Sequence, residues 1–162
     1  ILAAISMARP KIADYEFTTL HPNLGVVLIN EYEKFVVADI PGLIKGASSG
    51  SGLGIQFLKH ISRTKLLMHV IDITDNDTNK IANDIAVIET ELKNYDVKLY
   101  NMNRWYVFNK TDLYEENDLM ELKNSIVKNY DSNVYFTSTV NKKGLDIMCN
   151  DIWNHLRDIY ND

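Results

Sequence analysis

Leu66 to Asp72 is a near-continuous apolar run, and its succession by a helical and then another strand-like pattern constrains the fold more than any other part of the chain. A run of this kind reads as a central strand of a parallel sheet, which helices cover on both faces. The next segment, Asn79 to Asn94, changes period and puts Ile81, Ile85, Ile88 and Leu92 on one face of a helix. Trp105-Tyr106-Val107-Phe108 is again a strand. Leu119, Leu122 and Ile126 then mark a helix capped by Asp118 and running to about Asn129. Val134-Tyr135-Phe136-Thr137 is a short last strand, and a final helix runs from Leu145 to Ile159. Strands alternating with helices predict an α/β fold, an open and mainly parallel sheet flanked by helices. Ligands of such sheets bind at the carboxyl ends of the strands.

The first third of the chain is different. Ile1 to Ala8 has a helical pattern that Pro10 ends. Lys11 to Asn23 is polar and reads as irregular. Val26 to Ile29 and Phe35 to Ala38 flank a turn-like segment and predict an antiparallel hairpin. Five of the seven glycines then fall between Gly42 and Gly54, mixed with Ser48, Ser49 and Ser51. Such a stretch holds no fixed shape without a ligand. Leu53 to Arg63 reads as a helix.

Three strand ends carry candidate chemistry. Asn109-Lys110-Thr111-Asp112 follows the strand Trp105–Phe108. An Asp carboxylate there can accept from both N1–H and the 2-amino group of guanine, whereas adenine offers neither donor. Asn109 would tie the loop and reach the base N7, and the Lys110 stem would lie along the ring face. Asp39-Ile40-Pro41-Gly42 ends the strand Phe35–Ala38. Its Asp suits a metal-bound water and its Gly N–H suits a γ-phosphate. Ser138-Thr139, with Val140, follows the last strand and can present a backbone N–H to the guanine O6. Each has an ordinary alternative: a polar turn, a Pro-Gly turn and a Ser/Thr turn. Their order and their common placement at strand ends argue for one nucleotide-binding rim.

Composition limits the other possibilities. The 162 residues fit one domain with a real core. The net charge of −5 argues against a free-standing DNA- or RNA-binding module. The single cysteine, Cys149, excludes an internal disulfide and reads as a buried structural thiol. No apolar run reaches the roughly 20 residues of a membrane span, and no signal peptide is evident. A cytoplasmic monomer is expected. His69, mid-strand, reads as a core or semi-buried histidine, His21 as a solvated loop residue near the nucleotide, and His60 and His155 as helix residues without partners. Asp72-Ile73-Thr74-Asp75 reads as a loop that caps the next helix. Tyr95, Tyr100, Trp105 and Tyr106 read as packing residues.

With these residues in view, the chain resembles the Obg family of translation-factor-class GTPases over nearly its whole length. The resemblance is carried by Arg9-Pro10-Lys11-Ile12-Ala13-Asp14-Tyr15-Glu16-Phe17-Thr18-Thr19-Leu20, by Pro22-Asn23-Leu24-Gly25 and by Asp39-Ile40-Pro41-Gly42-Leu43-Ile44. Gly46-Ala47-Ser48, Gly52-Leu53-Gly54 and Asn109–Asp112 continue it. It implies a P-loop-GTPase-like sheet, with residues 1–162 as one Obg-type G domain. The first stretch resembles switch I, whose second Thr, here Thr19, coordinates Mg²⁺. Asp39 would hold the ion through a water. The nucleotide set the resemblance implies is Phe17, Thr18, Thr19, Leu20, His21, Asp39, Ile40, Pro41, Gly42, Asn109, Lys110, Thr111, Asp112, Ser138, Thr139 and Val140. Glu16 stands where the family usually has Pro, and Ser138-Thr139 where it usually has Ser-Ala.

Two departures bear on activity. First, no G-x-x-x-x-G-K-S/T phosphate loop occurs in the sequence. In the family that loop and its central strand come just before the residue matching Ile1. The chain therefore reads as an N-terminally incomplete G domain, inactive by itself. Second, Leu43 follows Asp-x-x-Gly where some GTPases place a water-orienting Gln, so no residue of this chain is assigned a catalytic role and slow turnover is expected. The implied function is Mg²⁺-dependent hydrolysis of GTP to GDP by a switch that acts on the large ribosomal subunit. Guanosine tetraphosphate is a permitted ligand. The alternative is a non-catalytic module of the same fold that acts through protein contacts.

Overall fold

A computed structural model of the chain describes residues 1–7, 11–12, 23–39, 64–75, 77–130 and 133–161. The elements in chain order are α1 (Leu2–Ile5), β1 (Lys11–Ile12), β2 (Asn23–Leu28), β3 (Lys34–Asp39), β4 (Leu67–Asp72), α2 (Thr78–Tyr95), α3 (Val97–Tyr100), β5 (Arg104–Asn109), α4 (Glu116–Val127), β6 (Val134–Thr137) and α5 (Leu145–Asn161). A short 3-10 turn, Thr111–Leu113, follows β5.

The strands form two three-stranded sheets. β1, β2 and β3 are antiparallel neighbours, and β4, β5 and β6 are parallel in that order. The hairpin pairs Val26 with Val36 and Val27 with Phe35, as the two apolar runs flanking a turn-like segment predict. Lys11 to Asn23 is not wholly irregular, because Lys11 and Ile12 pair with Leu24 and Asn23. The N-terminal helix is shorter than its pattern, ending at Ile5 with Ser6 extended. It packs on β2 so closely that a Cβ at Gly25 would lie 2.7 Å from Leu2 Cδ1.

β5 is the middle of the parallel sheet, and its residues Arg104 to Phe108 are all buried. Its alternating side chains feed two cores. Trp105 and Val107 join Val27 and Phe35 of the hairpin with Leu145, Met148, Cys149 and Ile152 of α5. Tyr106 and Phe108 join Ile71, Ile73, Ile81, Ile85, Leu122 and Ile126 on the other face, under α2 and α4. The first core thus ties the two sheets together. β4, read from its apolar run as a central strand, pairs only with β5 among the described residues, and Val70 is 48% exposed. Burial on both faces belongs to β5.

The helices follow their apolar stripes, with local corrections at the ends. α2 begins after Asp77, whose carboxylate accepts from the N–H groups of Asn79 (2.9 Å) and Lys80 (3.1 Å). Asp118 does not cap α4. It lies inside the first turn, where its charge favours the helix N-terminus, and Glu115 holds the cap position. α3 is a single turn not evident in the pattern, started by Asp96 accepting from Lys98 N–H at 2.7 Å. Below it, Arg104 donates to Glu89 Oε1 (2.9 Å) and to the Tyr100 carbonyl (3.0 Å). The Tyr106 hydroxyl donates to the same Glu89 oxygen. This pins α2 and α3 to the amino end of β5. The helix expected over Leu53–Arg63 lies outside the described residues.

Candidate nucleotide site

Parallel register brings the carboxyl ends of three strands level. Asp72 is opposite Asn109, and Asn109 is opposite Thr137. The loops that leave these residues form one rim, and each loop is fastened to its neighbour. Asn109 accepts from the Thr137 hydroxyl at 3.2 Å, and its carbonyl accepts from Ile73 N–H at 3.3 Å. Asn109 therefore ties the loops, as expected of it. Thr111 is buried, and the Tyr114 hydroxyl donates to the Ile73 carbonyl.

Lys110 sits at φ 77° and ψ 35°, the left-handed region, at the start of the 3-10 turn. That sharp turn lets the chain drop from the strand into the turn that carries Asp112. The Lys110 ammonium reaches across to β4, where it lies 2.7 Å from Asp72 Oδ2 and donates to Thr74 Oγ1 at 3.3 Å. Asp72 Oδ1 accepts from the Thr74 N–H at 2.9 Å and from its hydroxyl at 2.5 Å. Partial burial opposes the charged form of Asp72, but the hydrogen bonds from Lys110 and Thr74 outweigh it and hold the carboxyl down at about 2. The reading of Asp72–Asp75 as a helix-capping loop is thus corrected. Asp77 caps the helix, and Asp72 is occupied with Lys110.

Asp112 is half-buried. Its Oδ1 accepts from the Ser138 hydroxyl at 2.5 Å. Ser138 is fully buried and its hydroxyl in turn accepts from Asn141 N–H at 3.1 Å. The Ser138 backbone N–H is spent on the Lys143 carbonyl at 3.0 Å, so it is not available to a base. Among the described residues the Thr139 N–H has no acceptor, and neither do those of Val140 and Lys142, so this loop keeps free backbone donors after Ser138. Val140 is exposed at 77%. The arrangement offers an oriented carboxylate whose second oxygen has no partner among the described residues, a fixed apolar lysine stem, and backbone donors on the neighbouring loop. A planar base with two adjacent donors and one acceptor matches it.

Asp39 ends β3, is exposed, and takes a long contact of 3.5 Å from Asn23 Nδ2. It has no described contact to the rim of the parallel sheet. Phe17, Thr18, Thr19, Leu20, His21, Ile40, Pro41 and Gly42 lie outside the described residues. Three contributors were not evident from sequence: Asp72, Thr74 and Thr137. Asp72 and Thr137 each end a strand, as Asn109 does, and that shared position is the signal that marks them. His69 is half-buried, with its Nδ1 atom buried. His155 is not without partners, since it lies 3.0 Å from Asn103 Nδ2 and tilts against Trp105 at 5.4 Å. Cys149 is buried, and burial first, then Asp146, pushes its thiol up to about 11.

A parallel sheet with level strand ends, flanked by helices, is the α/β arrangement of G domains of the P-loop GTPase class. The solved structures agree on the fold. Era from Aquifex aeolicus bound to GDP·AlF4− matches with a TM-score of 0.65 at 19% identity, over 94% of this chain and 50% of that one. The G domain of the T. maritima FeoB iron transporter matches at 0.56 and 15% identity, over 90% and 82%. A family model described as 50S ribosome-binding GTPase matches residues 1–110. GTPase Obg from Buchnera aphidicola subsp. Acyrthosiphon pisum, strains Tuc7, 5A and APS, is 45% identical over 159 residues, 97% of this chain. The chain belongs to the 50S ribosome-binding GTPase family and is similar over nearly its whole length to GTPase Obg. It spans 48% of the length of those curated relatives.

Proposed function

We propose that this chain is the nucleotide-reading part of a Mg²⁺-dependent switch that hydrolyses GTP to GDP and acts on the large ribosomal subunit in the cytoplasm. One observation carries the proposal: Asp112, held by the buried Ser138 hydroxyl at 2.5 Å, stands on a rim set by level strand ends. In this reading Asp112 accepts from guanine N1–H and the 2-amino group. The Lys110 stem supports the ring, Asn109 faces N7, and the Thr139 N–H meets O6. Among the described residues no helix is long and apolar enough to cross a membrane.

Mg²⁺ belongs to this reading, and Asp39 fits it. It is an exposed carboxylate at a strand end whose one hydrogen-bond partner among the described residues is the Asn23 amide, and a carboxylate of this kind can accept from a metal-held water. Thr19 is the direct ligand implied by the family resemblance. When bound, the ion neutralises charge on the phosphates. The side chain of Leu43 cannot hydrogen-bond a water, so orientation of the nucleophile falls to another group or to a partner, and turnover alone is slow.

The test is a specificity swap in the intact protein. Asp112→Asn sets an amide donor against the guanine donors and costs on the order of 2–4 kcal/mol for GDP. Xanthine has a carbonyl where guanine has the 2-amino group, and the new amide can donate to it. The variant should bind xanthosine diphosphate better than GDP, reversing the wild-type order in a competition titration. Retained guanine preference would remove Asp112 from base reading.

A further inference from the structure

We propose that Asp72, assisted by Thr74, is a positioning residue for the purine base, acting through Lys110. The inference rests on the nucleotide reading above and deepens it. Both ends of the Lys110 side chain are fixed in the structure. At the backbone, its left-handed conformation (φ 77°) sets the direction in which the stem leaves. At the tip, the ammonium is held 2.7 Å from Asp72 Oδ2 and 3.3 Å from Thr74 Oγ1. Asp72 cannot turn away, because its other oxygen takes both the N–H and the hydroxyl of Thr74. The methylenes are therefore stretched from the β5 loop to the β4 loop as a fixed apolar shelf.

A free lysine has to lose its rotamer freedom when it supports a ligand, and that loss weakens binding. Here it is lost beforehand. The pair is not a stability device. The two side chains are 46% and 56% exposed, and ion pairs at such exposure add little to folding. Nor is Asp72 a general electrostatic aid, since a carboxylate near an anionic nucleotide repels it. Simple electrostatics says that removing the charge tightens nucleotide binding, whereas the clamp says that removing it weakens binding. The sign separates them.

The experiment measures GDP and inosine diphosphate affinity in the intact protein for wild type, Asp72→Asn, Thr74→Val, Lys110→Met and the Asp72→Asn/Lys110→Met double variant. Asp72→Asn keeps the acceptor for Thr74 and loses the charge. It should weaken GDP by about fivefold, the scale of one side chain that must be ordered on binding. Thr74→Val keeps the charge and should weaken GDP in the same direction by less. The ratio of GDP to inosine diphosphate affinity should stay at the wild-type value, because Asp112 still reads the 2-amino group. In the Lys110→Met background Asp72→Asn should add nothing. Tighter or unchanged GDP binding in Asp72→Asn, or an equal loss with and without Lys110, overturns the clamp. If Asp72→Asn does not fold, unchanged GDP binding in Thr74→Val overturns it instead. A wild-type protein that binds no GDP would sink the nucleotide reading itself, a result distinct from a wild type that binds GDP and a clamp that does not matter.

Discussion

Lys110 holds a conformation that its own side chain disfavours. Its φ of 77° lies in the region where a Cβ crowds the backbone, at a cost of roughly 1–2 kcal/mol. The compensating contact is an exposed ion pair, which is worth less than that. Backbone strain without a matching gain in stability is common at functional sites. Lys110→Gly should therefore raise the stability of the intact protein by about 0.5–1 kcal/mol in urea denaturation and weaken GDP binding in the same variant. Loss of both stability and binding would mean that the lysine is kept for packing. Ser138 shows a different economy at this scale. Its buried hydroxyl both donates to Asp112 and accepts from Asn141, while its N–H closes onto Lys143. Each of these groups serves the loop, and the base is left to its neighbour.

At the scale of elements, the loop between β6 and α5 depends on how it closes. Ser138 and Lys143 form an isolated bridge, and Gly144 follows at φ 75°. A Cβ at Gly144 would lie 2.4 Å from the Phe136 carbonyl oxygen, which is strand backbone and cannot yield. Gly144 also starts α5, since its carbonyl accepts from Met148 N–H at 3.3 Å. Gly144→Ala meets both a clash and a disfavoured φ, so it should cost more than about 2 kcal/mol of stability by thermal or urea unfolding. Where the variant still folds, guanine affinity should fall with it, because Ser138 is displaced from Asp112. A neutral substitution would show that this loop adapts, and the rim would then not be rigid.

Across the molecule, one core joins the hairpin to the parallel sheet, and the second core carries a titratable group. His69 on β4 lies against Tyr106 with ring centroids 5.7 Å apart, and its Nδ1 is buried without a partner. Burial, then the Arg104 cation, pushes its pKa from 6.5 down to about 4, with Glu89 opposing. The unfolded chain thus takes up a proton before the folded one does. The contribution of His69 is fully present above pH 6.5, and it is lost as pH falls from 6.5 towards 4. The full loss is on the order of 2–3 kcal/mol. Asp72 also has a lowered value, but its contribution is lost only below its ordinary 3.8, towards 2. The two windows are separate. Urea denaturation between about pH 7 and pH 4.5 should show a slope that His69→Phe reduces and Asp72→Asn leaves alone. An unchanged slope in His69→Phe would mean that the imidazole is already hydrated in the folded state.

The sequence by itself determined the order of the longer strands and helices among the described residues, the parallel arrangement of the second half and the positions of the candidate loops at the strand ends. These follow from short-range patterns: apolar runs for strands, stripes at helical spacing, polar residues where a strand ends. Leu119, Leu122 and Ile126 declare their helix, and Asn109 to Asp112 declare their loop, without reference to the rest of the chain. Tertiary structure decided what the rim residues do to one another. Ser138 and Asp112 are 26 residues apart, and Lys110 and Thr74 are 36 apart. Only pairing β4 with β5 and β5 with β6 brings them within reach. Among the described residues the same pairing leaves β4 with one neighbour and buries β5 on both faces. It turned Asp72 from a turn residue into the partner of Lys110, because a carboxylate's role depends on which cation the fold sets beside it.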